Sequence, residues 1–217
     1  MKPQIVFCVP GKQFSGNFLD SWTHLLVHCM NQKYDIALSR QESPVIYYVR
    51  NLCLGGDLTK GPDQLPFQNQ LNYTHMMWID SDMVFTPDQF MRLLEHDQDI
   101  VAGVYKTKSG MNFAAVEHWD EEKFQRDGVF DFMTEESIAG RESLIDVAYT
   151  GFGFVLVKRG VFESLKYPWF RPLFHNINGL EDFSSEDVSF CLQIREKGFK
   201  IWVDPTIRVG HEKPCIL

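Results

Sequence analysis

The stretch His75-Met-Met-Trp-Ile-Asp-Ser-Asp82, continued by Met-Val-Phe-Thr-Pro-Asp-Gln89, decides the fold. Residues 75–79 are mostly large and apolar, which is typical of a buried strand, and this strand ends at Asp80 and Asp82. Thr86-Pro87-Asp88-Gln89 has the pattern of a helix start, with a Thr cap, Pro at the first helical position and Gln three residues after the cap. A strand, an acidic edge and a capped helix in this order predict one strand–helix unit of an α/β sheet.

Strand and helix patterns alternate outward from this segment in both directions. The predicted strands are Ile5–Pro10, Tyr34–Ser39, Ile100–Tyr105, Leu144–Tyr149, Phe154–Val157 and Phe199–Asp204, with Pro205 halting the last. The predicted helices are residues 15–31, Ser43-Pro44 to Leu54, residues 160–166, and Ser184 to Lys197, which Gly198 closes. The run Val45–Val49 is β-branched and aromatic, so a strand is the alternative there. We expect a single α/β domain, residues 1–217, with a mixed, mostly parallel central sheet flanked by helices.

Composition and charge narrow the class of protein. The chain has 217 residues, 44% hydrophobic and 23% charged, which is typical of a globular domain. Its formal net charge is −8 and no basic run occurs, so a nucleic-acid partner is not expected. The five cysteines form no Cys-x-x-Cys pair, and no apolar run reaches the length of a signal-peptide core or a transmembrane segment. We therefore expect a soluble protein of a reducing compartment, the cytoplasm.

The acidic pair Asp80-Ser81-Asp82 is the first candidate site. An Asp-x-Asp pattern occurs by chance about once in a chain of this composition, and Asp97-Gln98-Asp99 is a second match. The second match follows a helix, where a solvated turn explains it. The first follows a buried strand, and ligands of open α/β sheets bind beyond the carboxyl ends of strands. Two carboxylates there can bind a hard cation or a ribose, although helix capping or plain solvation is the alternative.

Three further elements carry chemistry. Ser184-Ser185-Glu186-Asp187 is either a capping box, Ser184-x-x-Asp187, or the location of a general base, and taken alone it favours capping. His211 in Gly210-His211-Glu212-Lys213 follows the last strand, where it is either a surface residue or a third metal ligand, and Lys213 has the charge to neutralise a phosphate. Gly151-Phe152-Gly153 marks a bulge, a turn or a close backbone approach to a ligand.

The order of these elements resembles the GT-A fold glycosyltransferases, which use nucleotide-activated sugars. The likeness runs from Val9-Pro10 to His211 and points to the small single-domain members, as found in bacteria and in large DNA viruses of algae. Asp80-Ser81-Asp82 is similar to the family's Asp-x-Asp motif and Ser185-Glu186-Asp187 to its x-Glu-Asp motif. Gly151-Phe152-Gly153 resembles the acceptor-side glycine loop, His211 the C-terminal metal-binding histidine, and Arg50-Asn51 a pair near the nucleotide.

The resemblance implies a function and a set of site residues. It implies transfer of a hexose from a nucleoside-diphosphate sugar, preferably a UDP-sugar, to a hydroxyl of a glycan or other acceptor. Residues 1–105 would form the nucleotide-binding half and residues 106–217 the acceptor-binding and catalytic half. Asp82 and His211, with Asp80, would bind Mn²⁺ or Mg²⁺. Asp187 would be the base of an inverting reaction and Glu186 would orient the substrate. The donor would be bound by Pro10, Gly11, Arg50, Asp80, Ser81, Gly153 and Lys213.

Other functions are compatible with parts of this pattern. The ending His211-Glu212-Lys213-Pro214 also resembles that of some retaining glycosyltransferases. A sugar-phosphate nucleotidyltransferase would also build its metal site from carboxylates, but residues 10–16 hold one Lys and few glycines where that class has a basic, glycine-rich loop. A carbohydrate- or Ca²⁺-binding module is the non-enzymatic alternative. Segment 106–143, where acceptor contacts usually lie in this family, matches no motif.

Overall fold

A computed structural model describes residues 3–213 of the chain. The helices are α1 (Gly16–Gln32), α2 (Ile46–Cys53), α3 (Pro87–Glu95), α4 (Glu121–Asp127), α5 (Glu135–Ile138) and α6 (Glu186–Glu196). The strands are β1 (Gln4–Pro10), β2 (Asp35–Gln41), β3 (His75–Ile79), β4 (Met83–Val84), β5 (Ile100–Val104), β6 (Asn112–Val116), β7 (Phe132–Thr134), β8 (Ile145–Asp146), β9 (Tyr149–Thr150), β10 (Phe154–Lys158), β11 (Phe174–Ile177), β12 (Leu180–Phe183), β13 (Trp202–Arg208) and β14 (Gly210–His211). Short 3₁₀ helices cover Leu58–Lys60, Pro66–Asn69 and Phe162–Ser164.

The central sheet has seven strands in the order β2-β1-β3-β10-β5-β13-β8. Neighbours β1 and β2, β1 and β3, and β5 and β13 are parallel, whereas β10 runs antiparallel between β3 and β5. Strand β8 is an antiparallel edge. The predicted mixed, mostly parallel sheet is therefore confirmed. Strands β1, β3, β5 and β13 all point the same way, so their carboxyl ends meet at one edge.

Alternate residues of the buried strands face two apolar layers. Along β1, Val6 and Cys8 pack with α2 and α6, while Ile5, Phe7 and Val9 pack with α1 and α3. Along β3, Met76 and Trp78 belong to the first layer and Met77 and Ile79 to the second. Burial on both faces explains the nearly continuous apolar runs from which these strands were predicted.

The helix starts follow local sequence signals in part. Thr86 and Gln89 form the predicted capping box of α3, and Ser15 caps α1 by accepting the Phe18 N–H. Residues 46–53 are helical, so the strand alternative is wrong. The predicted cap of α2 is also wrong, because Val45 is the N-cap and Ser43 accepts the Val45 N–H in a local turn.

Three predicted elements are corrected. The strand at Leu144–Tyr149 is split, because β8 joins the central sheet beside β13 while β9 pairs with β6. The helix at 160–166 is only a 3₁₀ turn, Phe162–Ser164, and the chain is extended again at Leu165. Strand β13 continues through Pro205 to Arg208, since the pairing register shifts between Asp204 and Arg208 and the bulge needs no ladder N–H from proline.

The later half of the chain adds structure that the sequence did not reveal. Strands β7, β6 and β9 form a small sheet, β11 and β12 form a hairpin, and β14 pairs with β4. Within residues 3–213, no helix is long and apolar enough to cross a membrane. Cys8, Cys29, Cys53 and Cys191 are free and buried, and Cys215 lies outside the described residues.

Candidate functional site

A cavity of about 680 Å³ opens at the carboxyl ends of β1 and β3. Its walls include five of the predicted donor-binding or metal residues and the loop before α2; the lining residues are Pro10, Gly11, Lys12, Glu42, Ser43, Pro44, Ile46, Val49, Asp80, Ser81 and Asp82. Parallel strands bring these residues together because both end at the same edge of the sheet. The cavity thus lies where α/β sheets bind ligands.

Gly11 allows the two loops of this cavity to touch. A Cβ atom at Gly11 would lie 2.5 Å from Cβ of Ser81, so any side chain would push the loops apart. The Gly11 carbonyl accepts a hydrogen bond from Nη1 of Arg40 at 2.9 Å. The close approach of backbone to Ser81 shapes the cavity and explains why glycine follows Pro10.

Arg50 joins the cavity to the start of α6. Its guanidinium donates two hydrogen bonds to Asp80, Nη1 to Oδ1 at 2.7 Å and Nη2 to Oδ2 at 3.1 Å, and Nε lies 3.4 Å from Oε1 of Glu186. The side chain is buried over the rings of Trp78 and Phe152. Burial disfavours its charge, but the carboxylates of Asp80, Glu186 and Asp187 together outweigh burial and raise the pKa of Arg50. Asp80 is therefore held in place by a permanent cation.

Asp82 is held by the C-terminal segment. Its Oδ2 lies 3.2 Å from Nε2 of His211 and 2.5 Å from Nζ of Lys213. The backbone reinforces this contact, because His211 pairs with Met83 between β14 and β4. Although partial burial opposes ionisation, hydrogen bonds from His211 and Lys213 lower the pKa of Asp82 to about 2. The carboxylate is ionised at neutral pH and can serve as a cation ligand.

The environment of His211 fits a metal ligand. Nδ1 lies 2.6 Å from the carbonyl oxygen of Lys106, an acceptor, so Nδ1 carries a proton. Nε2 therefore either bears a second proton, which it donates to Asp82, or turns a lone pair toward the Asp82 carboxylate. A lone pair facing a carboxylate is favourable only where both atoms, Nε2 and Oδ2, bind the same cation. Burial alone would disfavour charge, but Asp82 raises the pKa of His211. A backbone carbonyl that orients the ring through Nδ1 is typical of metal-binding histidines.

The predicted three-ligand set is only partly assembled. Asp82 and His211 meet, but the Asp80 carboxylate is occupied by Arg50. Residues 3–213 contain no group of three His, Cys, Asp or Glu side chains arranged to hold a metal ion. The donor set fits a metal through Asp82 and His211, with the remaining ligands supplied by water or substrate oxygens, as is usual for Mg²⁺ and Mn²⁺ beside phosphates.

Asp187 lies in the first turn of α6 with both oxygens engaged. Tyr149 Oη donates to Oδ2 at 2.9 Å, while Ser185 Oγ and the Val188 N–H donate to Oδ1 at 2.5 and 2.8 Å. The predicted capping box from Ser184 is wrong, because the N-cap is Ser185 and its side chain bonds to Asp187 rather than to a helix N–H. Oδ1 accepts two hydrogen bonds and Oδ2 only one, so Oδ2 keeps a lone pair for a substrate hydroxyl.

Glu186 has a different environment from its neighbour. Its side chain is buried beside Arg50. Burial and the adjacent Asp187 charge raise the pKa of Glu186 to about 7, against the opposing effect of Arg50. Two adjacent carboxylates with different environments can divide the roles of proton acceptor and orienting group.

Comparison with known proteins gives matches among solved structures alone. No protein-family model and no curated protein matches the sequence. The structure is similar to protein A197 from STIV, with a TM-score of 0.61 and 14% identity over 97% of this chain and 86% of that one. It is also similar to GalNAc-T7, solved with UDP, GalNAc and Mn²⁺, with a TM-score of 0.60 and 9% identity over 99% of this chain and 44% of that one.

A third similar structure is the mannosyltransferase PcManGT from Pyrobaculum calidifontis, solved with GDP-Man and Mn²⁺. The TM-score is 0.53 at 11% identity, over 99% of this chain and 58% of that one. The chain has the GT-A fold. This GT-A chain spans less than two thirds of the length of GalNAc-T7 and of PcManGT.

Within the GT-A fold, the glycine loop packs against a tyrosine that sequence reasoning missed. A Cβ at Gly151 would lie 2.1 Å from Oη of Tyr105, and one at Gly153 would lie 2.9 Å from its ring. The Gly153 N–H donates to Tyr105 Oη at 3.1 Å, and the Tyr105 ring meets the His211 ring edge-on at 5.1 Å. Packing against Tyr105 thus explains why both positions are glycine. Donor binding by Gly153 remains a prediction. The glycines themselves were the only sequence signal that a large side chain lies close.

Glu212 is a second residue whose role the sequence did not reveal. Its carboxylate accepts hydrogen bonds from Ser15 Oγ and, at 2.6 Å, from Nδ2 of Asn17 at the start of α1. Its N–H donates to the Asp82 carbonyl at 2.8 Å. Glu212 thereby fixes the segment that carries His211 and Lys213 onto the loop beside the cavity.

Proposed function

We propose that this protein is a metal-dependent glycosyltransferase that moves a hexose from a nucleoside-diphosphate sugar to a hydroxyl of a glycan or other acceptor. The observation that best supports it is the contact between Asp82, which lines the cavity at the sheet edge, and His211, which lies 129 residues away in the sequence. Uridine is the preferred base on the resemblance of motifs alone. The donor diphosphate would occupy the cavity between Gly11 and Asp82.

Asp82 and His211 would bind the divalent cation. A mixed carboxylate–imidazole pair suits Mn²⁺ better than Mg²⁺, which prefers oxygen ligands. The bound cation would stabilise the charge that develops on the β-phosphate as the sugar leaves. Lys213, whose ammonium group contacts Asp82, would then be available to neutralise a phosphate oxygen.

Asp187 is proposed as the general base. The acceptor oxygen attacks the anomeric carbon from the face opposite the diphosphate, the carbon–oxygen bond to the β-phosphate breaks, and Asp187 accepts the hydroxyl proton. This route inverts the anomeric configuration. Tyr149 and Ser185 would fix the carboxylate, and Glu186, tied to Arg50 and through it to Asp80, would orient donor and acceptor. A retaining reaction is the alternative.

Thermal-shift measurements with UDP-, GDP- and ADP-sugars, each with and without Mn²⁺, test the donor site. We expect one nucleotide class to raise the melting temperature only when Mn²⁺ is present, because ligands that bind the native state stabilise it. Slow release of free nucleoside diphosphate should follow with that donor. No stabilisation by any nucleotide sugar would refute the proposal, and pyrophosphate release from a sugar 1-phosphate and a nucleoside triphosphate would establish a nucleotidyltransferase. The anomeric configuration of the product, measured by NMR, separates inversion from retention.

We also propose that the protein acts in a reducing compartment, the cytoplasm. Burial raises the pKa values of the Cys8, Cys53 and Cys191 thiols, which keeps them protonated and unreactive. A structure whose described cysteines are all free and buried supports a chain that needs no disulfide. Unchanged thermal stability after full reduction is the expected result.

A further inference from the structure

A second cavity, of about 500 Å³, lies between the β11–β12 hairpin and α4, with the first turns of α6 at its floor. It is lined by Trp119, Asp120, Glu121, Phe124, Phe130, His175, Ile177, Asp182, Phe183, Ser184, Ser185, Val188 and Leu192. Asn178 at the hairpin tip donates to the carbonyl of Gln125 in α4 at 2.8 Å, which links the two walls. This hydrogen bond holds the hairpin tip against α4 beside the cavity.

The cavity ends at two residues that bind Asp187, the proposed general base. Ser185 and Val188 both line it, and both donate hydrogen bonds to Oδ1 of Asp187. A molecule that fills the cavity therefore has its near end beside the Asp187 carboxylate.

Most of the lining is apolar, and part of it is aliphatic. Phe124 and Phe130 stack with centroids 4.6 Å apart, and Trp119 lies 5.0 Å from Phe130. Ile177 and Leu192 add branched side chains that neither stack on a sugar ring nor bond to hydroxyl groups. A saccharide would leave these side chains without a complementary partner, whereas an alkyl or aryl group would be removed from water by them.

The charge of the lining excludes a second class of acceptor. Asp120, Glu121 and Asp182 are among the lining residues, and of the described residues that form this wall none is a lysine or an arginine. A lipid phosphate would face carboxylates with no cation to pair with, which is unfavourable. An uncharged ligand meets no such penalty.

We infer that this cavity binds the apolar part of an uncharged acceptor, an alkyl or aryl aglycone whose linked sugar presents its hydroxyl to Asp187. The inference rests on the proposed glycosyltransferase function and adds the class of acceptor to it. The apolar group supplies the binding free energy, and the sugar hydroxyl is the reacting group. A free sugar would therefore be a poor acceptor compared with the same sugar carrying an apolar aglycone.

Matched glycosides test this inference. Hexyl and methyl β-glycosides of the same sugars, used below micelle-forming concentrations, differ only in aglycone length. We expect the hexyl compounds to bind at least about tenfold more tightly, because each buried methylene adds to the transfer free energy. Binding is measured by isothermal titration calorimetry in the presence of Mn²⁺ and nucleoside diphosphate, and KM is measured with the donor that the thermal shift identifies.

Ile177→Ser on the hairpin should remove most of the hexyl preference and leave donor hydrolysis unchanged. Leu58→Ser is the matched control, since Leu58 is 84% exposed and lies outside the cavity lining. Equal affinity for hexyl and methyl glycosides, or a preference that survives Ile177→Ser, would overturn the inference while intact donor hydrolysis leaves the proposed function standing. Hexyl phosphate that competes as well as the hexyl glycoside would also overturn it. If no nucleotide sugar binds, the proposed function fails, and glycoside binding without donor still decides what the cavity accepts.

Discussion

Asp82 and His211 are 129 positions apart in the sequence, yet Nε2 of His211 lies 3.2 Å from Oδ2 of Asp82. The contact exists because β14 pairs with β4, so the chain returns from β13 to the edge where β3 ends. One strand end supplies the carboxylate and another supplies the imidazole. The two residues on which the metal proposal depends are thus joined by the sheet and not by sequence proximity.

Asp82→Asn should abolish the Mn²⁺-dependent part of nucleotide binding. The substitution removes a charged ligand and leaves the fold intact, because Asp82 is partly exposed. Titration calorimetry with UDP, with and without Mn²⁺, measures the effect. Asp99→Asn in the second Asp-x-Asp is the matched control, since Asp99 is exposed at a turn. An Asp82→Asn protein with unchanged Mn²⁺-dependent affinity would remove Asp82 from the metal site.

Glu212→Ala should weaken Mn²⁺ binding by roughly tenfold, as is typical when a residue that orients metal ligands is lost. The variant frees the segment bearing His211 and Lys213 from Ser15 and Asn17. A Mn²⁺ titration followed by intrinsic fluorescence gives the affinity, and Glu196→Ala, an exposed site on α6, is the control. Identical titration curves for both variants would show that the C-terminal segment holds its position without Glu212.

Asp187→Asn should retain donor binding and slow sugar transfer by about 10²–10⁴-fold, the usual contribution of a general base. The amide keeps the size of the side chain. Its oxygen can still accept from Ser185, and its NH2 group can donate to the hydroxyl oxygen of Tyr149, so a structural role alone would survive the change. Donor affinity and single-turnover transfer are measured on the same preparation. Transfer at nearly the original rate would assign Asp187 to structure alone.

Arg50→Met should lower the free energy of unfolding by about 3–5 kcal/mol, because it leaves a buried carboxylate without its cation. Arg50 is 2% exposed, and its partners Asp80 and Glu186 come from different elements. Urea denaturation monitored by circular dichroism measures the loss. Arg126→Met, on the exposed face of α4, should change the stability by less than about 0.5 kcal/mol. Equal losses for both variants would contradict the structural role of Arg50.

Glu186 should make the protein less stable as the pH rises from about 4.5 to 7. Its pKa of about 7 in the folded protein exceeds the value of 4.5 expected for an unfolded chain. The folded protein therefore retains a proton that the unfolded chain releases in this window, so stability falls with rising pH, by at most about 3 kcal/mol. Glu186→Gln should flatten this part of the profile in metal-free buffer. Glu196→Gln, on the exposed part of the same helix, should reproduce the wild-type slope, and an unchanged slope in Glu186→Gln would contradict the assignment.

Local patterns predicted the elements whose signals depend on near neighbours. Strand β3 matches its predicted bounds, and the capping box of α3 forms as expected. Patterns failed where packing or pairing overrode local preference. Pro205 does not end β13 because a bulge accommodates it, and Ser184 does not cap α6 because Ser185 and Asp187 bond to each other.

Segment 106–143 could not be interpreted from the sequence for a related reason. Its strands are short, and β6 acquires its role by pairing with β7 and β9. Trp119, Phe124 and Phe130 contact one another, and they become one wall of a cavity because the β11–β12 hairpin lies opposite them. Tyr105 likewise explains why residues 151 and 153 are glycines, since any side chain there would clash with it, although nearly fifty residues separate Tyr105 from both.

The sequence by itself determined the strand that ends at Asp80, the helix that begins after Thr86 and the alternation that makes an α/β sheet. Each of these depends on interactions among residues within a few positions, so periodicity and capping signals are sufficient. The tertiary structure alone decided that Arg50 binds Asp80 and Glu186, that Asp82 meets His211 and that a mostly apolar cavity is lined by Ser185 and Val188, which bond to Asp187. These contacts depend on strand order and register in the sheet, which bring together side chains that no local pattern relates.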